Sequence, residues 1–142
     1  MITSLEHVGL SVADLDRSIA FYRDTLGFAV IRVLEVPPAM RLGDVVGLPP
    51  CTARVAHLSL GSAMLELFEY RDPLGRPIPG DRTHADHGFN HVGLTSTDTR
   101  ADWQRLRAQG VDFIGEPVEF RPGVWIVYLR GPDGEICELR ET

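Results

Sequence analysis

"EHVGLSVAD" at residues 6–14 returns as "NHVGLTSTD" at residues 90–98, and this repetition decides how the rest of the chain is read. Each copy alternates like a strand buried on one side, so that His7, Gly9 and Ser11 share one face and Val8, Leu10 and Val12 the other. A helix signal follows each copy. In "ADLDRSIAFYRDTLGF" Asp14 stands at the N-cap, Leu15, Ile19, Tyr22 and Leu26 recur at helical spacing, and Gly27 is the stop. After Asp98, "TRADWQRLRAQG" plays the same part.

Working outward, the order strand, helix, then three strands occurs twice. The first half continues with "FAVIRVLEV", a Pro/Gly-punctuated stretch from Pro37 to Pro50, and "TARVAHLSL" and "AMLELFEY" around a Gly61-Ser62 turn. The second continues with "VDFIGEPVEF", then "GVWIVYLR" and "EICELRE" around "GPDG". His7 aligns with His91, Asp14 with Asp98 and Glu66 with Glu138, the first half carrying the longer loop. The expected division is module one at 1–70, a connector at 71–88 and module two at 89–142. Units this short each leave an apolar sheet face uncovered, so the 142 residues are expected to form a single domain.

Composition narrows the function classes. With 44% hydrophobic and 24% charged residues the chain is an ordinary globular sequence, and a net charge of −6 without a basic run excludes an extended polyanion such as nucleic acid as the expected partner. No apolar stretch approaches the roughly 18 to 20 residues that span a bilayer, and the opening "MITSLEHVGL" lacks a signal-peptide pattern, so a cytoplasmic protein is expected. Cys51 and Cys137 read as reduced thiols, and a CxxC zinc site is excluded.

Two carboxylates stand out. In "AMLELFEY" Leu65 and Leu67 suit the face under a helix, leaving Glu66 on the other; in "EICELRE" Cys137 and Leu139 flank Glu138 in the same way. A charged carboxylate on an apolar strand costs several kcal/mol unless something pairs with it. At two equivalent positions, each matched by a histidine, that cost points to a common cation. Gly9 and Gly93, by contrast, read as fold-building residues that permit close approach.

"HVGLSVADLDRSIAFYRDTLGF", the "LEL" strand, "HVGLTSTD" and "GPDGEICEL" together resemble the vicinal oxygen chelate superfamily, the glyoxalase I, bleomycin-resistance and extradiol dioxygenase group, over nearly the whole chain. In ligand pattern the chain is most similar to glyoxalase I and the methylmalonyl-CoA epimerase-like members. The resemblance implies an α+β fold in which two paired βαβββ modules form one open, cup-shaped mixed sheet with the helices outside. It also implies one divalent ion per site, Ni, Co, Mn, Fe or Zn, held by His7, Glu66, His91 and Glu138, the four residues already isolated. Two nitrogens and two oxygens suit an octahedral ion that keeps two positions for a small-molecule substrate.

The chemistry so implied is that of a lyase or isomerase, glyoxalase I-like or acyl-CoA epimerase-like. A metal-chelated carbonyl acidifies its neighbouring carbon, an enediolate or enolate forms, and Glu66 or Glu138 carries the proton. Extradiol ring cleavage is the alternative, disfavoured by Glu66 because that branch uses only one glutamate. A non-catalytic drug-binding protein is the second alternative, and it lacks the ligand set. The resemblance also implies a homodimer.

For substrate contacts His57 is a candidate, in phase with Val55 and Ser59. Trp125 and Tyr128 lie on opposite strand faces, so at most one meets substrate. Arg54, with Arg32, Arg41 and Arg121, is a candidate anchor for an anionic tail, and His84 and His87 of the connector are expected in a mobile loop rather than on the metal, a loop that could cap the mouth of the site. Substrate selection is expected on loops, above all Pro37 to Pro50.

Overall fold

Backbone pairing reproduces the duplication strand for strand. The computed structural model describes residues 1–141 and divides them into two compact units, Met1–Pro77 and from Ile78 onward. The first holds β1 (Val8–Ser11), α1 (Leu15–Ala20), β2 (Ala29–Val36), α2 (Leu42–Val46), β3 (Thr52–Leu60) and β4 (Ala63–Asp72). The second holds β5 (Val92–Thr95), α3 (Thr99–Ala108), β6 (Val118–Arg121), β7 (Val124–Arg130) and β8 (Ile136–Arg140). Hydrogen bonding forms two four-stranded sheets in the orders β1-β4-β3-β2 and β5-β8-β7-β6. The first strand of each module runs parallel to the last and the remaining neighbours are antiparallel, so both sheets are mixed.

The helices start where the sequence places them. Asp14 caps α1 by accepting the Arg17 amide at 2.9 Å, and Asp98 caps α3 by accepting the Ala101 amide at 3.0 Å. A second acceptor arrives from the sheet: Glu69 Oε2 takes the Leu15 N–H and Glu141 Oε2 the Thr99 N–H, both at 3.0 Å. These satisfy donors that an isolated helix leaves open. The expected continuous first helix changes at Phe21–Thr25 to a π-helical turn, where Tyr22 is buried with the rings of Phe21 and Phe28 edge-on to it at 5.3 and 5.5 Å. Gly27 then takes φ +84°, the left-handed conformation that ends the helix.

In the first unit α1 lies against β3 and β4, burying Leu15 and Ile19 with Ala56, Leu58, Leu65 and Leu67. In the second α3 lies against β7, and Leu106, Val127, Leu129, Cys137 and Leu139 are buried. One expected strand is largely absent. Of residues 111–120 only the end joins β6, with Phe113 making an isolated bridge to Leu129. Gly115 and Pro117 interrupt the segment, and a proline has no N–H to give to a ladder.

Between β2 and β3, the Pro37 to Pro50 stretch carries a short 3₁₀ turn at Pro38–Met40 and then α2. Leu42 of α2 packs on the cluster of Val36, Ala53 and Val55, with Leu34, Phe68 and Tyr70 beside it. Among the described residues no helix is long and apolar enough to cross a membrane.

Candidate functional site

Register explains why the repeated histidines and glutamates meet. On β4 Glu66 lies opposite Gly9 of β1, and on β8 Glu138 lies opposite Gly93 of β5. Each histidine stands two residues before that glycine, hence on the same face. His7 Nε2 is 3.0 Å from Glu66 Oε2, and His91 Nε2 is 2.9 Å from Glu138 Oε2. The glycines do not supply the close approach expected of them. A Cβ at Gly9 would meet Phe68 at 3.6 Å and one at Gly93 would meet Glu138 at 3.9 Å, both ordinary contacts.

The carboxylates are well enclosed, Glu138 being 7% exposed. Burying such a group charged is costly, and each has acquired two partners. Besides His7, Glu66 has His57, whose Nε2 lies 2.8 Å from Oε1. Besides His91, Glu138 has the Tyr128 hydroxyl as a hydrogen-bond donor. His57 and Tyr128 are themselves register equivalents, each the cross-strand neighbour of its glutamate. Burial, and then the Glu138 charge, push the Tyr128 hydroxyl above the usual phenol range. His7 is also bonded through Nδ1 to Glu6, which with the Glu66 charge holds the imidazole pKa above its ordinary value.

The other candidates divide by strand face. Tyr128 lies on the face of Glu138, whereas Trp125 belongs to the helix side, its ring under the Arg100 guanidinium at 4.4 Å. Arg54 also faces the helix side, where it grips both oxygens of Asp16 at 2.9 Å and lies 3.3 Å from Glu35 and 3.5 Å from Glu69. As a substrate anchor Arg54 is therefore misplaced. Its alternation relative to His57 would have said so. Arg41 pairs locally with Asp44.

Two neighbours of the pairs were not legible as such. Arg32 Nε donates to His57 Nδ1 at 3.0 Å. His84, expected in a connector loop rather than on the metal, packs edge-on to Tyr128 at 4.8 Å and lies 5.9 Å from His91, Tyr128 and His91 being 5.3 Å apart. The turn presenting His84 is closed from both ends, Thr83 Oγ1 accepting the Ala85 amide at 3.2 Å and Asp86 accepting the Thr83 amide at 2.6 Å, so "THAD" carried a capping-box-like turn signal.

A divalent ion fits the donor chemistry of each pair. Each brings one imidazole nitrogen and one carboxylate oxygen together, at 3.0 Å in His7–Glu66 and 2.9 Å in His91–Glu138, and that mixed nitrogen and oxygen set is one that would suit a divalent ion. Among the described residues no group of three or more His, Cys, Asp or Glu side chains is arranged to hold a metal, so each pair supplies two donors.

A mixed parallel and antiparallel sheet is thus built twice, with a His–Glu pair at the same register in each copy. The chain belongs to the Glyoxalase/Bleomycin resistance protein/Dioxygenase superfamily, whose family model matches residues 4–139. It is 34% identical over 148 aligned residues to a 2-epi-5-epi-valiolone epimerase from an Actinomyces species, spanning 96% of this chain and 78% of that one. With the human mitochondrial methylmalonyl-CoA epimerase it shares 27% identity over 97% of this chain and 73% of the relative. A glyoxalase family protein from Bacillus cereus is alike in fold, with a TM-score of 0.88 at 23% identity over 99% of this chain and 95% of that one.

Proposed function

We propose that this protein is a divalent-metal-dependent lyase or isomerase, moving a proton at the carbon next to a carbonyl of a small-molecule substrate, with His7, Glu66, His91 and Glu138 as the ligand set. The supporting observation is the doubled register: in both modules a histidine stands within 3.0 Å of a glutamate that lies opposite an equivalent glycine. A bound ion supplies a Lewis acid that acidifies the carbon beside a carbonyl. One of the two carboxylates, Glu66 or Glu138, takes the proton and returns it. Return to the opposite side of the same carbon gives an epimer, and return to the neighbouring atom an isomer. The Tyr128 hydroxyl steadies Glu138 through its hydrogen bond. Next to Glu66 the apolar surface of Val55, Phe68 and Tyr70, the last two rings stacked 6.0 Å apart, keeps water from the reacting carbon.

The working form in this reading is a cytoplasmic homodimer. The exposed apolar residues of the edge strands, Ile31 and Val33 of β2 and Val118 and Phe120 of β6, support a covered surface, and light scattering reads the mass directly.

Elemental analysis of protein purified without added metal tests the ligand set. Wild type is expected to carry a stoichiometric divalent ion, and His7→Ala and Glu138→Ala to lose it. Stoichiometric metal in both variants would sink the assignment. Deuterium uptake from heavy water into 2-methyl-branched acyl thioesters or hemithioacetals then reads proton transfer, which loss of the base should slow by about 10²- to 10⁴-fold. Catechol-dependent oxygen consumption would instead favour ring cleavage.

A further inference from the structure

The two halves differ at one point behind their glutamates. Across the first sheet Arg32, His57, Glu66 and Gly9 are successive cross-strand partners on β2, β3, β4 and β1. A bulge sets this row: between Val30, opposite Leu58, and Arg32, opposite His57, β2 carries the extra residue Ile31. Without it Ile31 would face His57 and Arg32 would point to the other side of the sheet. The bulge thus delivers a guanidinium to a histidine that is 7% exposed.

Directions of donation along this row are forced. A guanidinium has only donors and keeps its charge, so Nδ1 of His57, 3.0 Å from Arg32 Nε, must offer its lone pair. The ring proton then sits on Nε2, which faces Glu66 Oε1 at 2.8 Å. A proton on Nδ1 would set N–H against N–H. Oε2, the other oxygen of Glu66, is the one that faces His7 at 3.0 Å. In module two the same register position holds Tyr128, whose hydroxyl rotates and both gives and accepts. The paired stretch of β6 and β7 runs from Val118 with Ile126 to Arg121 with Val124, so no β6 residue in it takes the place of Arg32.

We propose that Arg32 and His57 are positioning residues: Arg32 locks His57 as the Nε2–H tautomer, and that N–H pins Oε1 of Glu66 so that Oε2 alone is presented to the cation. This rests on the reading of Glu66 as a metal ligand. The device belongs to module one and makes the two repeated glutamates unequal, Glu66 being held by a directed donor and Glu138 by a rotor.

The test uses the full chain labelled with ¹⁵N-histidine, measured by long-range ¹H–¹⁵N correlation with and without Zn²⁺, together with Zn²⁺ affinity by chelator competition. In wild type His57 is expected to show the Nε2–H pattern in both states. In Arg32→Met the Glu66 carboxylate still draws the proton to Nε2, so the Nε2–H pattern should persist but broaden as the ring loses its second anchor, and both Arg32→Met and His57→Phe should weaken Zn²⁺ binding by roughly tenfold or more. His57→Gln, whose amide keeps a donor toward Glu66, should recover most of that affinity, which a packing role would not. An Nδ1–H pattern in wild type overturns the proposal, as do unchanged line widths and affinity in Arg32→Met. Should wild type bind no Zn²⁺, the ligand reading and the cation half of this proposal fall together, while the tautomer measured on the metal-free chain decides the Arg32–His57 lock by itself.

Discussion

His7 is the residue at which pH and metal meet. Glu6 on Nδ1 and Glu66 beside Nε2 both favour the imidazolium, so the His7 pKa lies above its ordinary value. A protonated ring cannot ligate, and the cation must compete with that proton. Affinity is therefore expected to climb with pH and to level off only above the raised His7 pKa. Glu6→Gln removes the first cause of the shift and should move the plateau to lower pH without touching a ligand. Divalent-ion affinity measured from about pH 5.5 to 8.5 checks this, and superimposable curves for the two proteins would exclude a role for Glu6. The four ligand candidates were legible in the sequence because alternation and duplication each selected them. Arg32 was not, because its place opposite His57 depends on one extra residue at Ile31, and a bulge leaves no residue pattern that alternation can read.

At the level of elements, the phrase beginning at each glutamate says more than its ligand. "ELFE" at residues 66–69 and "ELRE" at residues 138–141 each hold two carboxylates three positions apart, an odd spacing that sends them to opposite sheet faces. Glu66 and Glu138 go to the site face. Glu69 and Glu141 go under the helices and accept their first amides at 3.0 Å. The signal was present twice in the sequence, but only the tertiary approach of a helix start to a strand end gives it meaning. Charge-assisted bonds at a helix N-terminus contribute about 1.5 to 3 kcal/mol each. Glu141→Ala is expected to lower the urea midpoint by the equivalent of that loss while Glu141→Gln, which keeps an acceptor, loses less. An unchanged midpoint in Glu141→Ala would show that Asp98 alone sustains the start of α3. The misread strand over 111–120 has the opposite cause: its apolar residues satisfied the pattern, but Gly115 and Pro117 outweighed them.

For the whole molecule the duplication fixes the strand order, β1-β4-β3-β2 followed by β5-β8-β7-β6, and it is the reason so much of the fold could be read from two short phrases. Duplication alone does not say whether each copy binds for itself. The proposed ligand set asks a pair from each unit to bind one ion, and this has a thermodynamic signature. An ion at about 100 times its dissociation constant stabilises the state that binds it by about 2.7 kcal/mol. If both pairs bind the same ion, that gain must appear in both units at once. Amide exchange should then slow in β1 and β4 and equally in β5 and β8 when the ion is added, and Glu138→Ala should abolish protection in both sheets, although the substitution lies in one. An ion held by a single pair would protect its own sheet and leave the other unchanged in wild type and variant alike. Dilution separates the two ways of sharing: pairs from one chain give protection independent of protein concentration, and pairs from two chains give protection that fades as the dimer dissociates.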